Sequence, residues 1–188
     1  MKILVKLSAI LVLISFVGCS SISYHNDYDP SIDFARYKTY QWYSGDHVEG
    51  DALVGYPLVQ KRLINSVDRV LTEKGYTEIK EGEADFVVIL HAGLKEHTKM
   101  NTYGYGGYGY GRYGYGWSGT GGMATTDVIT YDEATLVIDI ANVLNKELVW
   151  RGTATGIVGS PEDDQAKAQA KADDVVGNIL STFPPEKE

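Results

Sequence analysis

One cysteine, four histidines and 25 acidic residues bound the chemistry open to this 188-residue chain. Cys19 follows Phe16-Val17-Gly18 and precedes Ser20, at the end of a largely apolar run from Leu7 to Val17 that Lys2 and Lys6 introduce. A thiol in that setting is a substrate for modification. A small residue directly before cysteine, after an apolar stretch too short for a comfortable membrane span, is what a lipoprotein signal peptidase reads. Residues 1–18 are therefore expected to be a cleaved signal peptide, and Cys19 to carry a diacylglyceryl thioether and usually an amide-linked chain such as palmitate. Each buried methylene contributes about 0.8 kcal/mol, so two or three chains anchor stably where one does not. No second cysteine exists to form a disulfide. Ser20 stands where an inner-membrane retention signal would place Asp, which favours an outer-membrane lipoprotein facing the periplasm.

The remaining reactive groups make weaker patterns. No serine sits in a G-x-S-x-G elbow. His91 and His97 are six apart, unlike the four-residue helical spacing of H-E-x-x-H, and Asn26-Asp27-Tyr28-Asp29 lacks the glycine and terminal glutamate of a calcium loop. The acidic pairs Asp132-Glu133, Asp163-Asp164 and Asp173-Asp174 are adjacent in sequence, so their side chains diverge. A glycosidase-like pair would need partners from distant segments. Gly104, Gly106 and Gly109 fit G-x-G-x-x-G, but more glycine follows where a dinucleotide site needs a helix. The expectation is no catalytic residue, no metal site, no cofactor and no enzyme activity.

Tyr103 to Trp117 holds seven of the chain's 21 glycines and six of its 14 tyrosines. That much backbone freedom argues against a regular element and for a mobile Gly/Tyr-rich loop at about 98–122. Three readings compete. The segment is a tolerated low-complexity insertion without a ligand; or Tyr103, Tyr105, Tyr108, Tyr110, Arg112, Tyr113, Tyr115 and Trp117 form a binding loop whose rings stack on peptidoglycan or lipopolysaccharide sugars or contact an envelope protein; or it self-associates through aromatic contacts.

These candidates need a scaffold. Cleavage leaves 170 residues, enough for one domain with a real core. The formal charge of −8 becomes −10 without Lys2 and Lys6, which disfavours nucleic acid as a partner. Ile22 to Tyr28 alternates as an edge strand does, and Lys38 to Tyr43 is a β-branched and aromatic strand. Pro57 to Lys74 repeats apolar residues at helical spacing and ends at Gly75, after a loop from Gly45 to Gly55. Ala84 to His91 is apolar on both faces, as a central strand covered on both sides would be. Tyr131 to Leu144 and Glu147 to Gly156 make a hairpin that places Trp150 in the core and Arg151 on the opposite face, in an ion pair. Ser160-Pro161-Glu162-Asp163 opens a second helix, and Pro184-Pro185 stops it. A helix between two strands permits a parallel crossover, whereas the hairpin must be antiparallel. The expected fold class is α/β: a two-layer sandwich with a mixed, mainly antiparallel sheet and two helices on one face, forming a single lipid-anchored domain over 19–188.

Asp33-Phe34, Tyr37-Lys38-Thr39-Tyr40 with Trp42, Lys74-Gly75-Tyr76 and Ala84-Asp85-Phe86-x-Val88 stand in order along the chain. Thr135-Leu136-x-Ile138-Asp139, Leu148-Val149-Trp150-Arg151-Gly152 and Phe183-Pro184-Pro185 continue the series. In these motifs the chain resembles the bacterial lipoprotein family named domain of unknown function 4136, over nearly the whole mature length. The resemblance implies a periplasm-facing, lipid-anchored α/β domain and brings no assigned reaction. That family usually has glycine where this chain has Ala134, and Tyr103–Trp117 departs from its pattern. The leading expectation is a non-enzymatic envelope lipoprotein that binds or scaffolds another envelope component. A carrier of lipid or another apolar ligand is the second reading, and a cell-wall hydrolase the third.

Overall fold

The structure, a computed structural model, describes residues 22–45, 48–104, 124–159 and 162–186, with backbone alone at 99–104 and 124–129. Its strands are β1 (Ser23–Tyr28), β2 (Thr39–Trp42), β3 (Thr77–Glu78), β4 (Phe86–Gly104), β5 (Ala124–Asn142) and β6 (Leu148–Ile157). They form one six-stranded sheet in the order β1-β6-β5-β4-β2-β3. β2 runs parallel to β4 and β3, while β1, β6, β5 and β4 pair antiparallel in turn. Two helices, α1 (Pro57–Glu73) and α2 (Gln165–Leu180), pack on one face. The mixed α/β sandwich expected from the sequence pattern is the fold observed.

Helix α1 starts with Pro57 in its first turn, where a missing N–H costs nothing, and buries Leu63, Val67, Val70 and Leu71 along one stripe. It ends where Gly75 takes φ 90°, so that Tyr76 N donates to Leu71 O at 2.9 Å. The second helix departs from expectation: its N-cap is Asp164, not Ser160. The Asp164 carboxylate accepts from Ala166 N at 2.8 Å and Lys167 N at 3.3 Å, satisfying two of the amides that a helix start leaves free. Ser160 and Pro161 lie outside the described residues.

Alternation along the strands sends Phe86, Val88, Ile138, Ile140, Trp150 and Ala154 toward the helices, where they meet Val176, Ile179, Leu180 and the α1 stripe. Phe86 is the hub of this core. Its ring centroid lies 5.3 Å from Tyr37, 5.9 Å from Tyr40, 5.4 Å from Tyr76 and 5.8 Å from Phe183. Residues of three other sequence motifs thus converge on this side chain. Val87 and Ile89 on the other face are only half buried, because no second helical layer covers them; the central strand is covered on one side, not on both.

The segment read as a loop from Gly45 to Gly55 contains a 3-10 turn, Ala52–Gly55. Asp51 fixes it, accepting from Leu53 N at 3.0 Å and from Ala92 N of β4 at 2.9 Å. The β4–β5 ladder also runs beyond its expected limits. Pairing continues without a shift to Gly104↔Ala124, so 98–104 is strand where a loop was expected, and 105–122 lies outside the described residues.

Candidate functional site

The β4–β5 hairpin outgrows the sheet. β2 pairs β4 only at Phe86–Val88, and β6 leaves β5 at Glu133↔Ile157. From Glu96↔Asp132 to Gly104↔Ala124 the two strands run on over nine residue pairs, and past the bond from Val158 N to Asp132 O at 2.8 Å they pair with each other alone. At about 3.4 Å per residue this ribbon is roughly 30 Å long. At its base the His97 ring stacks on Tyr131 with centroids 5.4 Å apart and planes at 10°, and His97 Nε2 lies 3.1 Å from Glu133 Oε2.

Tyr103 occupies the last turnless stretch of this ribbon, paired with Thr125. Tyr105, Tyr108, Tyr110, Arg112, Tyr113, Tyr115 and Trp117 lie outside the described residues, as does Cys19. What the structure adds is their support: the Gly/Tyr segment joins the two ends of a projecting arm.

The open face of the sheet carries a polar set that the sequence only half revealed. Asp139 is 5% exposed although no helix covers it. Arg151, its Cα partner on β6, donates from Nε to Oδ1 at 2.6 Å and from Nη2 to Oδ2 at 2.7 Å, and His91 Nε2 lies 3.4 Å from Oδ2. The fork geometry holds the Arg151 proton more firmly than usual, chiefly through the hydrogen bond to Asp139. Here is the ion pair expected of Arg151. Both carboxylate oxygens are engaged, so Asp139 is a lock between strands and not a free base. His91 and His97 point to this same face, but six strand residues place them about 20 Å apart, beyond the reach of one ion. Among the described residues no three His, Cys, Asp or Glu side chains form a metal cluster.

Other polar side chains bind elements together. Asp68 of α1 accepts from Tyr40 Oη at 2.8 Å and from Trp42 Nε1 at 2.9 Å, which ties the helix to β2. Burial pushes the Tyr40 phenol well up, and its bond to Asp68 adds to the effect. Asp173 of α2 accepts from Ser66 Oγ at 2.7 Å and pairs with Arg69 at 2.9 Å, joining the helices. Asp85 accepts at Oδ2 from Lys38 N and Thr39 N, each at 2.8 Å, and from Thr39 Oγ1 at 3.0 Å. Burial raises its pKa, but these donors outweigh it and hold the carboxyl below its ordinary range.

A half-open cleft of about 450 Å³ lies between the end of β1 and the C-terminal segment. Tyr28, Pro30, Ile32, Phe34, Pro184 and Pro185 line it, and of its lining residues Glu186 alone carries a carboxylate. Trp42 borders a smaller cleft with Tyr43, Ile64 and Leu90.

Residues 24–185 match the family described as Domain of unknown function (DUF4136). No curated protein matches the chain by sequence. Among solved structures, a PDZ domain protein from Parabacteroides distasonis aligns at 12% identity with a TM-score of 0.53; the alignment covers 97% of this chain and 41% of that one. A DUF4136 family protein from Bacteroides thetaiotaomicron aligns at 14% identity, with a TM-score of 0.48 and coverage of 88% and 97%. The PelC dodecamer from Paraburkholderia phytofirmans aligns at 15% identity, with a TM-score of 0.44 and coverage of 85% and 95%. At 12% identity the likeness to the first of these is one of fold alone.

Proposed function

Because the chain belongs to the DUF4136 family, whose description assigns no reaction, we propose from its own residues that it is a lipid-anchored envelope lipoprotein whose domain binds or scaffolds another envelope component. The observation that carries the reading is the placing of Cys19: the chain's one cysteine, behind an apolar leader with a basic start and four residues ahead of the first strand. An anchor so close to the sheet holds the domain at a membrane, in this reading the outer membrane on its periplasmic side. Asp139 is not available as a free base, because Arg151 and His91 engage its oxygens. The projecting β4–β5 arm supports a contact role for Tyr103, Tyr105, Tyr108, Tyr110, Arg112, Tyr113, Tyr115 and Trp117 toward peptidoglycan, lipopolysaccharide or a protein.

Two measurements test this. Radiolabelled palmitate should enter the wild-type chain and not Cys19→Ala; label in the variant removes the anchor. In-cell crosslinking should recover a glycan or protein with the full arm and lose it when Tyr103–Trp117 is shortened, whereas an identical catch from both takes the contact away from the arm. The apolar cleft at Tyr28, Ile32 and Phe34 favours a second reading, carriage of an apolar ligand, since its volume falls in the small-molecule range. Co-purifying lipid detected by mass spectrometry, and lost in Ile32→Arg, would select it.

A further inference from the structure

We infer that the cleft between the end of β1 and the C-terminal segment receives the Gly/Tyr segment of a second copy of this chain; the inference rests on the proposed contact role of the arm and names its partner. The positions of the two features come first. The cleft lies at the row in which Tyr28 pairs with Trp150, Trp150 with Ile140 and Ile140 with Val88. The arm ends at Gly104↔Ala124, sixteen residues beyond Val88 along β4, or roughly 50 Å at about 3.4 Å per residue. Cleft and arm thus stand at opposite ends of the sheet. Residues 105–123 join the two strands of the arm, nineteen residues whose ends are held side by side by that last pair. A chain pinned at both ends extends by half its length, so no point of this segment lies more than about 35 Å from the tip. Its own cleft is out of reach by about 15 Å. A second copy presents the same cleft without that limit: two antiparallel copies serve each other, or copies add head to tail.

The chemistry of the two parts is complementary. The cleft offers the rings of Tyr28 and Phe34 beside Pro184 and Pro185, surfaces on which aromatic rings pack while a phenol oxygen stays at the open rim. At about 450 Å³ it falls in the range that takes a drug-sized molecule, and so holds a tyrosine ring and its neighbour. Residues 105–123 carry five tyrosines and Trp117, with glycines between the rings that let the backbone come close to the surface it meets. Charge gives the pairing its direction. Of the cleft's lining residues Glu186 alone is charged, and among residues 105–123 Arg112 alone is. With a formal net charge of −8, copies of the chain repel one another at long range, so a single guanidinium set against a single carboxylate supplies the local attraction and fixes the register of the contact.

The test uses the full-length chain in cells. The photo-crosslinking residue benzoylphenylalanine replaces Tyr108 or Tyr113, on either side of Arg112, and this chain is co-expressed with an otherwise wild-type copy that carries a different affinity tag. Ultraviolet light should give a product holding both tags, with its junction in Tyr28–Ala35 or Pro184–Glu186 by peptide mass. Glu186→Arg in the tagged copy should cut the yield at least threefold, as should Arg112→Glu in the crosslinking chain, and the two reversals together should restore at least half of it. Glu186 is exposed, and circular dichroism confirms that each variant is folded. A junction elsewhere on the second copy, a product formed within one chain, or a yield indifferent to the reversals overturns the inference. A junction to a glycan, a lipid or another protein also overturns it, and leaves the contact role of the arm standing. No product of any kind from either position removes that contact role, and the inference falls with it.

Discussion

A carboxylate that is nearly buried on an uncovered sheet face survives because its neighbours on both sides satisfy it. Removing one partner of such a pair costs more than removing both, since a lone buried charge keeps its desolvation penalty. Arg151→Met should therefore destabilise the domain by about 2–3 kcal/mol in urea titrations, with the half-exposed guanidinium holding the figure below that of a fully buried pair. The double variant Asp139→Leu/Arg151→Met should recover at least half of the loss. A double variant as unstable as the single would give the pair net stabilising value. Asp85 makes a pH-dependent contribution instead. Its carboxyl is held below the ordinary range when folded, so its stabilisation is complete above the unfolded value near 4 and is lost as pH falls through the folded one. Asp85→Asn should be less stable at pH 7 by about 1–3 kcal/mol, and the gap to wild type should narrow as pH falls below about 4. A constant gap across that range would mean that the charge of Asp85 is immaterial. Sequence alone pointed to an ion pair at Arg151 but not to its partner. Asp139 sits in the run Leu136–Ile140, where alternation puts every second residue on the open face, and only the register of β5 against β6 makes it face Arg151.

Between elements, the approach of α2 to β6 is set at Gly152, over which the Trp150 indole lies. A Cβ at Gly152 would collide with Trp150 Cη2 and Ile179 Cγ2, so the glycine is there to let α2 approach β6 across the indole. Gly152→Ala should cost about 1–3 kcal/mol by overpacking. In a Trp150→Leu background that cost should shrink, because one of the two side chains that obstruct the methyl has gone. Equal costs in both backgrounds would locate the constraint at Ile179 and not in the indole. The helices and the inner strands were legible because their apolar residues recur at periods that only those elements use. The end of α1 was readable to within one residue, Lys74 against Glu73, since Gly75 marks the stop. The start of α2 was misread because Ser160-Pro161 and Asp164 both make good caps, and sequence does not say which one faces free amides. The outer half of the β4–β5 ladder was missed for a different reason. Thr98 to Gly104 and Ala124 to Thr130 border glycine-rich sequence and bury no described apolar face, so pairing alone, which leaves no periodic signature, defines them as strands.

The whole molecule divides into a body that holds the described core and an arm that extends past it. Among the described residues, burial of apolar side chains reaches Ala92 on β4 and Val137 on β5, several residues short of the ribbon. Replacing 96–132 with an Asn-Gly turn between Lys95 and Glu133 should leave the denaturation midpoint within about 1 kcal/mol of wild type. A loss above 3 kcal/mol would make the arm part of the fold. Such a trimmed chain would also separate the proposed anchor from the arm, because it keeps Cys19 and discards every residue from Tyr103 to Trp117. The pairing of β1 with β6 has a consequence in time. Ser23 meets Thr155, and Tyr28 meets Trp150, so the first strand to leave the ribosome has for its partner nearly the last. At roughly 5–20 residues per second, some 130 residues of waiting amount to about 10 s during which the amino-terminal strand has no place to close. The residues ahead of β1, Cys19 among them, thus emerge while the domain is still open, and the sheet can seal only when β6 has been made.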